Sequence, residues 1–138
     1  MTQYGHGIGL ADFDGDGDLD AMIVCHQMQL PTQVYLNDGR GMLIDTGQDF
    51  GDARISAADL NLLDLDGDGW LDAHILYYSE TGVPDKVYLN DGAATFRDSG
   101  LVLEEDFIAW GDLDGDGDLD IVIGCFRDGA QIWFNRQL

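Results

Sequence analysis

The chain is 138 residues long, enough for one domain with a packed core, and 45% of it is hydrophobic, which excludes general disorder. Acidic residues outnumber basic ones 27 to 6, and the formal net charge of −21 argues against nucleic acid or anionic lipid as partners. No stretch reaches the ~18 apolar residues of a membrane span, and the opening Met-Thr-Gln-Tyr-Gly-His lacks the basic and apolar regions of a signal peptide.

The first unit covers about residues 1–52. It predicts a strand over Gly7–Ala11, then an acidic loop, Asp12-Phe-Asp14-Gly-Asp16-Gly-Asp18-Leu-Asp20. A short apolar run follows (Ala21–Cys25), too short for a helix and bounded by loops, so it reads as a strand. Val34–Leu36 leads into an Asn-Asp-Gly turn that supplies the positive φ a tight hairpin needs, and Gly41–Asp45 returns.

The second unit, about 53–100, repeats this order with Ile55–Leu63, a loop of Asp64, Asp66, Asp68, Trp70 and Asp72, then Ile75–Tyr78, Val87–Leu89 and Thr95–Asp98. The third, about 101–138, offers Phe107–Gly111, a loop of Asp112, Asp114, Asp116, Asp118 and Asp120, then Ile121–Cys125 and Ile132–Asn135, with no return strand. The loops open 52 and 48 residues apart, and two blocks in fixed order three times over make the repeat secure. No capped run of helical period occurs. Four short antiparallel strands per unit of about 50 residues is the size of a β-propeller blade, so the expected fold is all-β: one domain of three blades, the last missing its outer strand.

The acids are biased as well as abundant, for only Glu80, Glu104 and Glu105 are not aspartate. Short carboxylates at alternate positions of a tight loop can turn inward around one hard cation, and Ca²⁺ takes about six to eight oxygens at ~2.3–2.6 Å. The expected side-chain ligands are Asp12, Asp14, Asp16 and Asp20, with Asp64, Asp66, Asp68 and Asp72, and Asp112, Asp114, Asp116 and Asp120, as counterparts. Position seven holds Asp18, Trp70 and Asp118; a tryptophan gives no carboxylate, so this position is expected to serve through its carbonyl and to turn its side chain outward. An EF-hand would need a bidentate acid at position twelve, where this chain has Ile23, Ile75 and Ile123. Acidic turns that bind nothing do not account for three nine-residue matches at one place in a repeat. Three Ca²⁺ sites are the expectation, with folding tied to their occupancy.

At these residues the chain resembles the FG-GAP or VCBS-type repeats of integrin α-subunit propellers and many bacterial extracellular proteins. The resemblance rests on Asp-x-Asp-x-Asp-Gly-x-x-Asp and on Val-Tyr-Leu-Asn, and it spans nearly the whole chain. It implies that each calcium loop joins the first two strands of a blade and that blades close into rings of about six to eight. Three blades fall short of a ring, so the chain is expected to associate with itself, either as a homodimer of six blades or as a higher assembly.

Little points to catalysis. His6, His26 and His74 share no repeat position and no metal spacing, and no nucleophile elbow, Cys-His-Asn set or zinc motif is present. Cys25 and Cys125 end equivalent apolar runs and read as buried thiols. The leading expectation is a non-catalytic, calcium-dependent binding or adhesion module at the cell surface or outside the cell, taking a glycan or an extracellular protein. The alternatives are a self-assembling structural unit and a propeller fragment of a larger enzyme or receptor. Trp110, Tyr77, Tyr78, Phe126 and Trp70 are candidate aromatic platforms, but aromatics in blades are mostly core between sheets; Trp70 is the exception, expected to be exposed by its place in a calcium loop.

Overall fold

A computed structural model describes residues 7–25, 30–51, 55–78, 81–103, 107–125 and 129–133. Among these residues there is no α-helix, and eleven strands form three antiparallel sheets. The first sheet is β1 (Gly7–Ala11), β2 (Asp20–Val24), β3 (Gln33–Asn37) and β4 (Leu43–Asp45), hydrogen-bonded in chain order. The second repeats that meander with β5 (Ala57–Leu63), β6 (Asp72–Tyr77), β7 (Asp85–Asn90) and β8 (Phe96–Leu103). The third joins β9 (Phe107–Gly111), β10 (Asp120–Cys125) and β11 (Gly129–Trp133), with β10 in the middle.

Every expected strand that falls on described residues is present. The expectation that the third unit has no return strand falls after Trp133, outside the described residues, as do His6, His26 and Phe126. One strand runs further than its sequence suggested. β8 continues past Asp98 to Leu103, because a register shift between Lys86 and Tyr88 lets Val102 and Leu103 pair with Lys86 and Asp85. That extension brings Leu101 and Leu103 into a core.

The sheets pack face to face and share two apolar clusters. The first lies between sheets one and two and centres on Phe13, Met22, Val24 and Val34 from one side and Ala73, Ile75, Tyr88 and Phe96 from the other. Phe13 meets Phe96 edge-on at 5.3 Å, and Phe50, between the sheets, meets Tyr88 at 4.9 Å. Such pairs add roughly 0.5–1.5 kcal/mol beyond the area they bury. The second cluster joins Leu65, Val87 and Leu103 of sheet two to Ile121 and Ile123 of sheet three. Alternation along each strand produces both clusters: Ile75 faces sheet one while its neighbour His74 faces sheet three, where Trp110 Nε1 donates to its Nδ1 at 3.2 Å.

The strands that open sheets one and two approach closely, and glycine permits it. A Cβ on Gly7 would lie 2.8 Å from the Leu60 backbone nitrogen and 2.6 Å from Val24 Cγ2. Neither is a flexible tip that can swing away, so Gly7→Ala is expected to push β1 off β5. Overpacking of this kind costs about 1–3 kcal/mol, read as a lower denaturant midpoint in saturating calcium. An unchanged midpoint would show that the two sheets do not meet there.

Candidate metal centres

Each acidic loop joins the first two strands of its sheet: β1 to β2, β5 to β6, β9 to β10. Two glycines in each loop adopt a left-handed conformation, as at Gly15 (φ 79°) and Gly17 (φ 93°), which side-chain-bearing residues resist. The chain therefore coils tightly enough for alternate carboxylates to converge. Asp12, Asp14 and Asp20 each bring one oxygen to within 4.8 Å of the others, and so do Asp64, Asp66 and Asp72, and Asp112, Asp114 and Asp120.

The last aspartate of each loop has a second task. Asp20 is fully buried; its Oδ2 accepts from the Phe13 amide at 2.8 Å and its Oδ1 from the Asn37 amide at 2.8 Å. Asp72 repeats both bonds with Leu65 and Asn90, each at 2.8 Å, and Asp120 accepts from Leu113 at 2.8 Å. In the first two sheets this carboxylate staples the loop to the end of the third strand while reaching the triad. Asp12 holds the loop from its other end, accepting from Gly15 at 2.7 Å and Gly17 at 3.0 Å. Asp16, Asp68 and Asp116, expected as ligands, stand outside the close triads; each accepts from the amide of position seven, at 2.9, 2.8 and 3.0 Å.

Electrostatics mark the triads as places where a cation is wanted. Loss of hydration raises the Asp14, Asp66 and Asp114 carboxyls above their ordinary range, and neighbouring carboxylates raise them further. Burial pushes Asp72 up to about 6, against the lowering effect of the Asn90 and Leu65 amides. The donor set is all oxygen and all aspartate. Two ligands at ~2.4 Å from one ion sit at most ~4.8 Å apart, so three such oxygens fit a single Ca²⁺. A softer metal would call for imidazole or thiolate.

The sequence model of the FG-GAP-like repeat matches residues 64–123. The chain carries an FG-GAP-like repeat. The match begins at the first aspartate of the second loop and ends in β10, so it takes in two of the three triads and the strands β6 to β9 between them. The first sheet lies outside the matched span but repeats the same loop and the same strand order. This agrees with an FG-GAP-type repeat protein.

Around these FG-GAP-like loops one aromatic expectation needs correction, that for Trp70. Trp70 is not an outward platform. It is half-buried, and its ring lies so close over Gly15 of the first loop and Gly92 of the β7–β8 turn that a Cβ on them would sit 2.7 and 2.5 Å from it. The ring reaches from its own loop to the preceding one, and Gly15 there and Gly92 in the turn of its own sheet leave room for it. Tyr77 is buried in the first cluster, and Trp110 packs on the second with its indole nitrogen committed to His74. Cys25 is half-buried rather than buried. Sequence reading also missed Asn90, whose side chain donates to the Phe13 carbonyl at 3.0 Å and ties the second sheet to the first loop. Its presence in the thrice-repeated Asn motif was the available signal.

Proposed function

We propose that the chain is a calcium-binding, non-catalytic β-propeller-type module that recognises a glycan or protein ligand outside the cell. The convergence of three equivalent aspartate triads carries this reading. Bound Ca²⁺ would neutralise carboxylates that otherwise repel, with Asp12, Asp14 and Asp20 and their counterparts holding it. Asp16, Asp68 and Asp116, and the carbonyls of Asp18, Trp70 and Asp118, are near enough in sequence to complete the shell. Extracellular calcium, in the millimolar range, saturates loops of modest affinity that cytosolic calcium leaves empty. The non-catalytic reading is supported by His74, which is fully buried between sheets and so is unavailable to a substrate. Among the described residues no helix is long and apolar enough to cross a membrane.

Titration calorimetry of the metal-stripped chain tests the metal reading. About three Ca²⁺ per chain are expected, and Asp14→Ala with Asp66→Ala and Asp114→Ala should abolish the heat. A stoichiometry of one or less, or unchanged binding by the triple variant, overturns it. A glycan and matrix-protein array probed with and without calcium tests the ligand class.

A further inference from the structure

Each sheet has a front, turned toward the sheet before it, and a back, turned toward the sheet after it. At the front of sheet two, Leu60, Leu62 and Leu71 pack into the first cluster. At the front of sheet three, Ile108, Trp110 and Leu119 pack into the second. The same positions in sheet one are Ile8, Leu10 and Leu19, and they are 64%, 61% and 60% exposed.

The backs show the converse. Phe13 and Val34 on sheet one are fully buried, and Leu65 and Val87 on sheet two are 1% and 0% exposed. Their counterparts on sheet three, Leu113 and Ile132, are 49% and 54% exposed. Register confirms the equivalence: Val34 pairs with Met22, Val87 with His74 and Ile132 with Val122, each at the same step of the central strand.

We infer that the front of sheet one in one copy of this chain docks on the back of sheet three in a second copy. The two open faces are the front and back of a contact that the chain already makes twice within itself. Apolar residues this exposed at both ends mark an interaction surface. A front-to-front pairing has no counterpart in the molecule, whereas front-to-back reproduces both internal clusters. The loops agree with this direction. Trp70 of the second loop lies over Gly15 of the first, and Asp118 of the third approaches Gly67 of the second, a Cβ there being 3.5 Å from its Oδ1. Across the copies Asp18 would fall beside Gly115 in the same way, setting two acidic loops next to each other. Association therefore gains from bound calcium and from salt. Two such contacts between two copies make a ring of six sheets, inside the ~4–8 blades that close; a geometry that does not close gives an open row.

Two blocked chains test the inference in millimolar calcium. One carries Ile8→Asp and Leu10→Asp on its front, the other Leu113→Asp and Ile132→Asp on its back. Light scattering should find the parent chain at twice or more its 15.1 kDa mass and each blocked chain alone at 15.1 kDa. Mixed, the two blocked chains should form a one-to-one pair and nothing larger, because one intact front meets one intact back. Circular dichroism checks that each is folded, and double serine variants replace any aspartate pair that is not. A parent chain that stays at 15.1 kDa, a blocked chain that still self-associates, or a mixture that does not pair each overturns the inference.

Discussion

Stripping calcium with EDTA is expected to lower the melting temperature by at least ~15 °C. A ligand held at about 100 times its dissociation constant stabilises the folded state by about 2.7 kcal/mol, so three independent sites contribute about 8 kcal/mol. The whole stability of a domain is only about 5–15 kcal/mol, and each kcal/mol moves the midpoint by roughly 2–8 °C. The metal-free chain is weakened directly as well. Three carboxylates with oxygens inside 4.8 Å repel one another at each loop, a repulsion that water and protonation relieve only in part. Three divalent cations would offset six of the 21 formal negative charges. Scanning calorimetry in EDTA and in millimolar calcium reads the difference directly. Midpoints within ~3 °C of each other would mean that the triads are not structural metal sites.

What could be read from the sequence was whatever lies within one repeat. The strands, the loop between the first two strands of each sheet and the convergence of Asp12 and Asp14 all follow from local spacing. Asp-Gly alternation forces the coil, and short apolar runs between turns can be little but strands. What could not be read depends on the neighbouring sheet. The seat of Trp70 is made by Gly15 and Gly92, one from another repeat and one 22 residues along the chain, and no spacing links the three. The same holds for the bond from Asn90 to Phe13, across 77 residues. β8 outran its expected end because the register shift in β7 is a pairing event, invisible in the composition of Thr95–Asp98. The ninth loop position was legible as a ligand, but its role as a staple was not, because one of the amides it satisfies, that of Asn37 or Asn90, belongs to a distant strand end.

That double role separates two substitutions in one loop. Asp72→Ala should destabilise the chain with or without calcium, whereas Asp66→Ala should do so only in calcium. Asp72 is fully buried, and its removal leaves the Leu65 and Asn90 amides without the acceptors they now have at 2.8 Å. Each buried donor left unsatisfied costs about 1–3 kcal/mol, so the expected loss is about 2–5 kcal/mol, or roughly 10–20 °C. Asp66 is exposed, and the bond it accepts from the Asp68 amide is 3.2 Å long. Without metal its removal relieves repulsion and should leave the melt unchanged or slightly raised. Acidity gives the same residue a second signature. In the metal-free fold Asp72 is pushed up to about 6, above its ordinary 3.8, so the folded chain holds a proton that the unfolded chain has released at pH 5. Protonation thus favours the metal-free fold at low pH, and this contribution is lost as pH rises from about 4 through about 6. Bound calcium keeps the carboxylate ionised and should flatten that slope, and Asp72→Ala should remove it. Denaturant midpoints for the parent and both variants, taken between pH 4 and pH 7 in EDTA and in calcium, separate the roles. An Asp72→Ala chain that matches its parent in EDTA at pH 7 would leave this carboxylate as a metal ligand alone.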